Sequence, residues 1–176
     1  MKQLIWIFLL GFLIISCGDS QENLSQEIEL LTKIMKNENY PSKENMEKIV
    51  ILFDRYIDEY PDADESFSYM ELKAKYQAAN NNYEQALNTY EDLVKKYPDD
   101  SRSADAVFMQ AFIIENYLLD KVKARTKYSD FLKHYPNHEL ADDAQFSIEN
   151  LSLTDEEIML KLQSLQLDSS NIKLQN

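Results

Sequence analysis

Glycine is almost missing from this sequence: the only two are Gly11 and Gly18, so none lies beyond residue 18 of 176. Phosphate-cradling loops, dinucleotide fingerprints and nucleophile elbows all need glycine where the backbone turns tightly or meets a ligand, so none can be built here. Glycine-dependent β-hairpin turns are excluded on the same ground. Cysteine is confined to Cys17, and the histidines to His134 and His138, too few for a Cys/His metal site. No cofactor and no metal is expected. Positive charge is also scarce, with 18 Lys and Arg against 31 Asp and Glu and a net charge of −13. Such a surface repels nucleic acid and anionic headgroups, so no nucleic-acid partner is expected. The acidity is compatible with simple solvation and leaves basic protein partners open.

There is one long apolar run, Leu4-Ile5-Trp6-Ile7-Phe8-Leu9-Leu10-Gly11-Phe12-Leu13-Ile14-Ile15, preceded by Lys2. It falls short of the roughly 20 residues a membrane helix needs and suits the apolar core of a secretory signal. The run closes on Ile14-Ile15-Ser16-Cys17: two apolar residues, a small one, then cysteine. This resembles the lipobox of bacterial lipoprotein signals. The resemblance implies acylation of the Cys17 thiol, cleavage before it, and a mature chain that begins there. The other reading is an ordinary signal with an incidental cysteine at its end. An unpaired thiol would be a liability in an exported chain, which favours the lipobox.

Two or three acyl chains on one residue anchor a protein stably, where a single chain binds only marginally. The expected location is the cell envelope, with the chain held to a membrane through Cys17. In enteric lipoproteins an Asp after the cysteine favours the inner membrane. Gly18 stands there instead, which points to the outer membrane and leaves the leaflet open. The expected organisation is a signal peptide over 1–16, a lipid-anchored tether over 17–24, a helical repeat domain over 25–166 and a flexible tail over 167–176. Losing Lys2 with the signal takes the net charge from −13 to −14.

Internal periodicity is plain in the mature part. Phe53-Asp-Arg-Tyr56-Ile57-Asp-Glu-Tyr60-Pro61, Tyr90-Glu-Asp-Leu93-Val94-Lys-Lys-Tyr97-Pro98 and Tyr128-Ser-Asp-Phe131-Leu132-Lys-His-Tyr135-Pro136 align without gaps. Apolar residues at i, i+3, i+4 and i+7 trace one face of a helix. Each helix must end at its Tyr-Pro, because proline disfavours the α conformation in the residue before it. A second helix follows each proline, with Ala106 and Ala144 eight residues after Pro98 and Pro136. Asn80-Asn81-Asn82 forms a polar turn before the next helix.

The segment from Asn82 through Ala86 and Tyr90 to Pro98 resembles the second half of a tetratricopeptide repeat, and Ala124, Tyr128 and Pro136 repeat it. Its continuation past the proline is similar to the variety found in envelope proteins, such as BamD of the β-barrel assembly machine and the periplasmic partner of the Tol–Pal system. The resemblance spans roughly residues 42–151. It implies an all-α fold: about eight helices in antiparallel pairs, stacked as a right-handed superhelix (an α-solenoid) with one concave surface. Three departures stand out. Ala74 and Ala111 replace the usual glycine of the first helix, the third repeat has an extra residue near Leu118-Leu119-Asp120, and the terminal units are degenerate. An opening helix is expected over 25–37, carrying Ile28, Leu31, Ile34 and Met35. A last helix is expected from Thr154-Asp-Glu-Glu157, a capping box, with Ile158, Met159, Leu162 and Leu165 as its apolar residues.

The family pattern implies that Lys75, Phe108, Phe112 and Glu115 face the concave surface, with Phe146 in register with Phe108. Phe108 and Phe112 are either an exposed anchor for a partner peptide or packing residues between helices. His134 and His138 suit exposed turns. Asp99-Asp100 and Asp142-Asp143 suit helix N-termini, where the helix dipole favours negative charge. No catalytic constellation is visible, so an enzyme is not expected. The leading expectation is a lipid-anchored scaffold that binds envelope proteins, with outer-membrane protein assembly as one role and a monomer or weak homodimer as its state. The alternative is a lipoprotein that captures a peptide or glycan for a transporter or hydrolase. The glycan version is disfavoured because the only tryptophan, Trp6, lies in the signal.

Overall fold

The computed structural model describes residues 17–38 and 41–154, together with 156, 157, 159, 160 and 163. The expected signal peptide and tail, and Ile158, Leu162 and Leu165 of the expected last helix, lie outside these residues. Among the described residues there are seven helices and no strand: α1 (Cys17–Lys36), α2 (Lys43–Glu59), α3 (Asp64–Ala79), α4 (Tyr83–Lys96), α5 (Ser103–Asn116), α6 (Lys121–His134) and α7 (Ala141–Asn150). The chain falls into two compact units, Met1–Tyr97 and Pro98–Asn176. In the first, α1 packs on α2, α2 on α3 and α3 on α4. In the second, α5 packs on α6 and α6 on α7. Within each unit, loops this short force consecutive helices to run antiparallel.

The repeated segments occupy equivalent places. Phe53, Tyr90 and Tyr128 are buried, as are Tyr56, Leu93 and Phe131 one turn later. Ile57, Val94 and Leu132 are half-buried at the edge of the same face. The Tyr-Pro exits share a geometry: Tyr60, Tyr97 and Tyr135 have φ of −131°, −126° and −129° with ψ of 59°, 59° and 55°. Each donates its backbone N–H to the carbonyl four residues back, then leaves the helical region because proline follows. Ala86 and Ala124 are fully buried four residues before the first aromatic, where small side chains let helices approach closely. The corresponding residue of α2 is Ile49, also fully buried, so the first unit departs from the repeat at a core position.

The first helix starts earlier than its apolar periodicity implied. Residues 17–24, expected as a tether, form the opening turns of α1. The reason lies in their partners. Gln21 Nε2 donates to Tyr56 Oη at 2.8 Å, Ser20 Oγ and Tyr60 Oη are 2.5 Å apart, and Leu24 is buried. Polar composition alone had suggested a loop, yet these side chains cap the aromatic end of α2.

The extra residue of the third repeat is absorbed after α5. Leu119 takes a left-handed conformation, φ 56°, and projects into solvent. Asn81 does the same in the preceding repeat, φ 61°, with a side chain that tolerates it better. Beyond α7 the expected capping box is present. Thr154 donates its backbone N–H to Glu157 Oε2 at 2.8 Å, and Glu157 N–H returns to Thr154 Oγ1 at 3.3 Å.

Candidate functional site

On the first unit, the link between α1 and α2 is clasped by one side chain. Glu38 accepts from Ser42 N–H at 2.8 Å and from Asn45 Nδ2 at 2.7 Å, while Ser42 Oγ caps α2 by accepting from Asn45 N–H at 3.2 Å. This clasp and the Ser20 and Gln21 bonds hold α1 at both ends. Leu24, Ile28 and Met35 then face a core with Ile49, Phe53 and Tyr56. Helical phase leaves a second apolar line outward. Leu30, Ile34 and Ile51 are 61%, 46% and 64% exposed. With Glu27, Leu31, Lys48 and Leu52 they line an open groove of about 430 Å³ between α1 and α2. Of the apolar residues expected on the opening helix, Ile28 and Met35 are in the core, whereas Ile34 and Leu31 line the groove.

Ile51 also borders a smaller groove of about 280 Å³ on the other side of α2. There Met46, Val50 and Tyr76 meet the amides of Asn80, Asn82 and Gln85. Gln77 lines it too, fixed by a 2.8 Å bond from Thr89 Oγ1.

The residues expected on a binding surface are placed as follows. Phe108 is buried, its ring edge-to-face with Tyr128 at 5.5 Å and Phe131 at 5.6 Å, so it packs in the α5–α6 core. Phe112, one turn on, is half-buried and meets Tyr117 edge-to-face at 6.2 Å. Glu115 accepts from Tyr128 Oη at 2.7 Å. The structure thus joins Phe108 and Glu115 around Tyr128. Burial, with the Glu115 carboxylate adding to it, pushes the Tyr128 phenol well above its ordinary range. Phe146 lies on α7 and is 38% exposed. Lys75 lies in the other unit, exposed and paired with Glu71 at 2.5 Å.

His134 is exposed, as expected, with Nδ1 at 2.7 Å from the Asp130 carbonyl. His138 is a correction. It is half-buried, edge-to-face with Phe131 at 5.5 Å, with Nε2 at 3.7 Å from Asp105 Oδ1. Asp142 and Asp143 lie in the first turn of α7, where the helix dipole stabilises them. Asp100 is instead tied to Arg102, accepting from its backbone N–H, Nε and Nη2 at 2.9, 3.0 and 2.6 Å, which holds its carboxyl below the usual range. Among the described residues no three His, Cys, Asp or Glu side chains are grouped to hold a metal ion. No helix among them is long and apolar enough to cross a membrane.

The groove was missed, although the sequence carried a signal for it. Ile49-Val50-Ile51-Leu52-Phe53 is five apolar residues in a row, more than one helix face can bury. The surplus, Ile51, is the exposed ridge.

Comparison with known families matches the tetratricopeptide repeat to residues 68–100 and 105–138. These spans cover most of α3 and α5 and all of α4 and α6. No curated protein matches the chain. The chain therefore contains tetratricopeptide repeats, and its all-α architecture of paired helices is of that type. Such repeats serve as protein-interaction scaffolds. The α1–α2 pair lies outside the matched spans.

Proposed function

We propose that this chain is a membrane-anchored, non-catalytic tetratricopeptide scaffold of the bacterial cell envelope, mature from Cys17 and acylated there. The observation that carries the reading is the pair of matched repeats, because stacked helix pairs of this kind present side chains to protein partners. The apolar run ending in Ile14-Ile15-Ser16-Cys17 supports the anchor. Because α1 starts at Cys17, an acylated chain would stand directly on the membrane surface instead of at the end of a leash. Outer-membrane protein assembly, as in BamD, is the narrower role suggested by the repeat type. Capture of a peptide for a transporter or hydrolase is the second reading, favoured by the amide-lined groove beside Ile51.

The test is metabolic labelling of the full chain with an alkyne fatty acid, followed by membrane fractionation and crosslinking in native envelopes. Label and membrane recovery that vanish in Cys17→Ser support the anchor. A labelled Cys17→Ser chain would overturn it. Recovery of a specific membrane complex supports the scaffold. A small peptide or glycan recovered in its place would favour capture.

A further inference from the structure

We infer that the α1–α2 groove is a docking trough for a basic amphipathic helix of another protein. This rests on the scaffold reading and adds the chemistry of the partner. Leu30 and Ile34 form one wall and Ile51 and Leu52 the other, with Leu31 also lining the trough. Exposed apolar side chains gathered in one concave strip mark a contact surface, whereas scattered ones do not. Both walls are helices. From Glu27 to Ile34 the α1 wall runs about 10 Å, or two turns, the length over which a third helix offers side chains at i, i+3 or i+4, and i+7.

Charge selects the sign of the partner. Residues 17–97 contain 17 Asp and Glu against 9 Lys and Arg. At the groove itself, Lys48 is paired within α2 with Glu44 at 2.6 Å, so the one cation of the lining brings a carboxylate with it. Glu27 stands on the rim, in the field of Arg55, whose closer partner is Glu59 at 2.8 Å, and Glu47 lines the adjoining groove in a looser 3.8 Å pair with Lys43. A partner whose polar face carries Lys or Arg gains from these carboxylates and is steered toward the whole acidic unit. A second copy of the chain would bring the same excess of carboxylates, and an anionic lipid surface would be repelled in the same way.

The test uses the chain from residue 17 with Cys17→Ser, which retains every described helix. The probe is a fluorescein-labelled 18-residue peptide of leucine and lysine, patterned as an amphipathic helix. Its leucine/glutamate counterpart, with the same apolar face, is the control. Fluorescence anisotropy should show micromolar binding of the lysine peptide, weakened by salt, with far weaker binding of the glutamate peptide. Leu30→Ser/Ile51→Ser, which leaves the net charge unchanged, should weaken lysine-peptide binding about tenfold or more. Glu27→Gln should weaken it severalfold without altering the trough.

Circular dichroism of each variant shows that the helices persist. If the double variant loses helicity, Glu27→Gln and the salt dependence decide. Equal binding by the double variant with its helices intact would overturn the proposal, as would equal affinity for both peptides. So would a parent dimer in light scattering that the double variant abolishes, because the groove would then be filled by a second copy. None of these outcomes bears on fatty-acid labelling at Cys17 or on recovery of an envelope complex, so the groove and the scaffold can fail separately.

Discussion

Replacing Ile49 by alanine tests the feature that distinguishes the first helix pair from the others. Ile49 is fully buried and stands where Ala86 and Ala124 stand in α4 and α6. It also belongs to the cluster that joins α1 to α2 and borders Tyr69 and Tyr76 of α3. Ile49→Ala removes three carbon groups, about 2.4 kcal/mol of transfer free energy at roughly 0.8 kcal/mol each. A cavity of up to ~80 Å³ left unfilled adds up to ~2 kcal/mol at about 24 cal/mol per Å³. The expected loss is therefore about 2.5–4.5 kcal/mol, or a fall in Tm of roughly 5–15 °C. Urea unfolding followed by circular dichroism measures it, with the midpoint lowered and the slope retained if one cooperative unit is affected. A loss below about 1 kcal/mol would refute the reasoning, because the isoleucine would then replace alanine in sequence without filling space between α1 and α2.

The converse change, Ala86→Leu, should destabilise by about 1–3 kcal/mol through overpacking against α3, readable in the same denaturation experiment. Tyr128→Phe should cost about 1.5 kcal/mol, the low end for a bond to a carboxylate because Glu115 is only half-buried. The raised Tyr128 pKa has a further consequence of definite sign. Folding holds the phenol neutral, so its contribution is complete below the unfolded value of 10.0 and declines as the pH climbs past it. Burial raises the Tyr69 and Tyr76 phenols as well, so alkaline spectrophotometric titration should show fewer phenols ionising in the parent above pH 10 than after unfolding, and Tyr128→Phe should shrink that difference by one phenol.

The helices α2 to α6 were legible because one signal, the apolar spacing closed by Tyr-Pro, repeats three times and each exit obeys the same steric rule. Local chemistry also revealed the Thr154–Glu157 box. The start of α1 was illegible for a stated reason. Ser20 and Gln21 are helical because of Tyr60 and Tyr56, 40 and 35 residues away, and no local propensity carries that information.

The candidate surface is a different case. Phe108 was open to two readings from sequence because a phenylalanine on an amphipathic helix serves a core or an anchor equally well, and its rings against Tyr128 and Phe131 decide for the core. Ile34 follows Ile28 by six residues, a step that on a helix of 3.6 residues per turn carries it off the buried face of Leu24, Ile28 and Met35 and outward.

Within each unit, the helices pack chiefly on their neighbours in sequence: α1 on α2, α2 on α3, α3 on α4, then α5 on α6 and α6 on α7. Contacts that close over such short loops need little chain entropy to form, and proteins built from them fold quickly. A chain that emerges N-terminus first could close each helical hairpin before the next arrives, with Ile49 and Phe53 covered as soon as α3 is made. Such a chain leaves little apolar surface waiting for distant partners, and the strip along Leu30, Ile34 and Ile51 stays open once the hairpins have closed, since no described helix covers it.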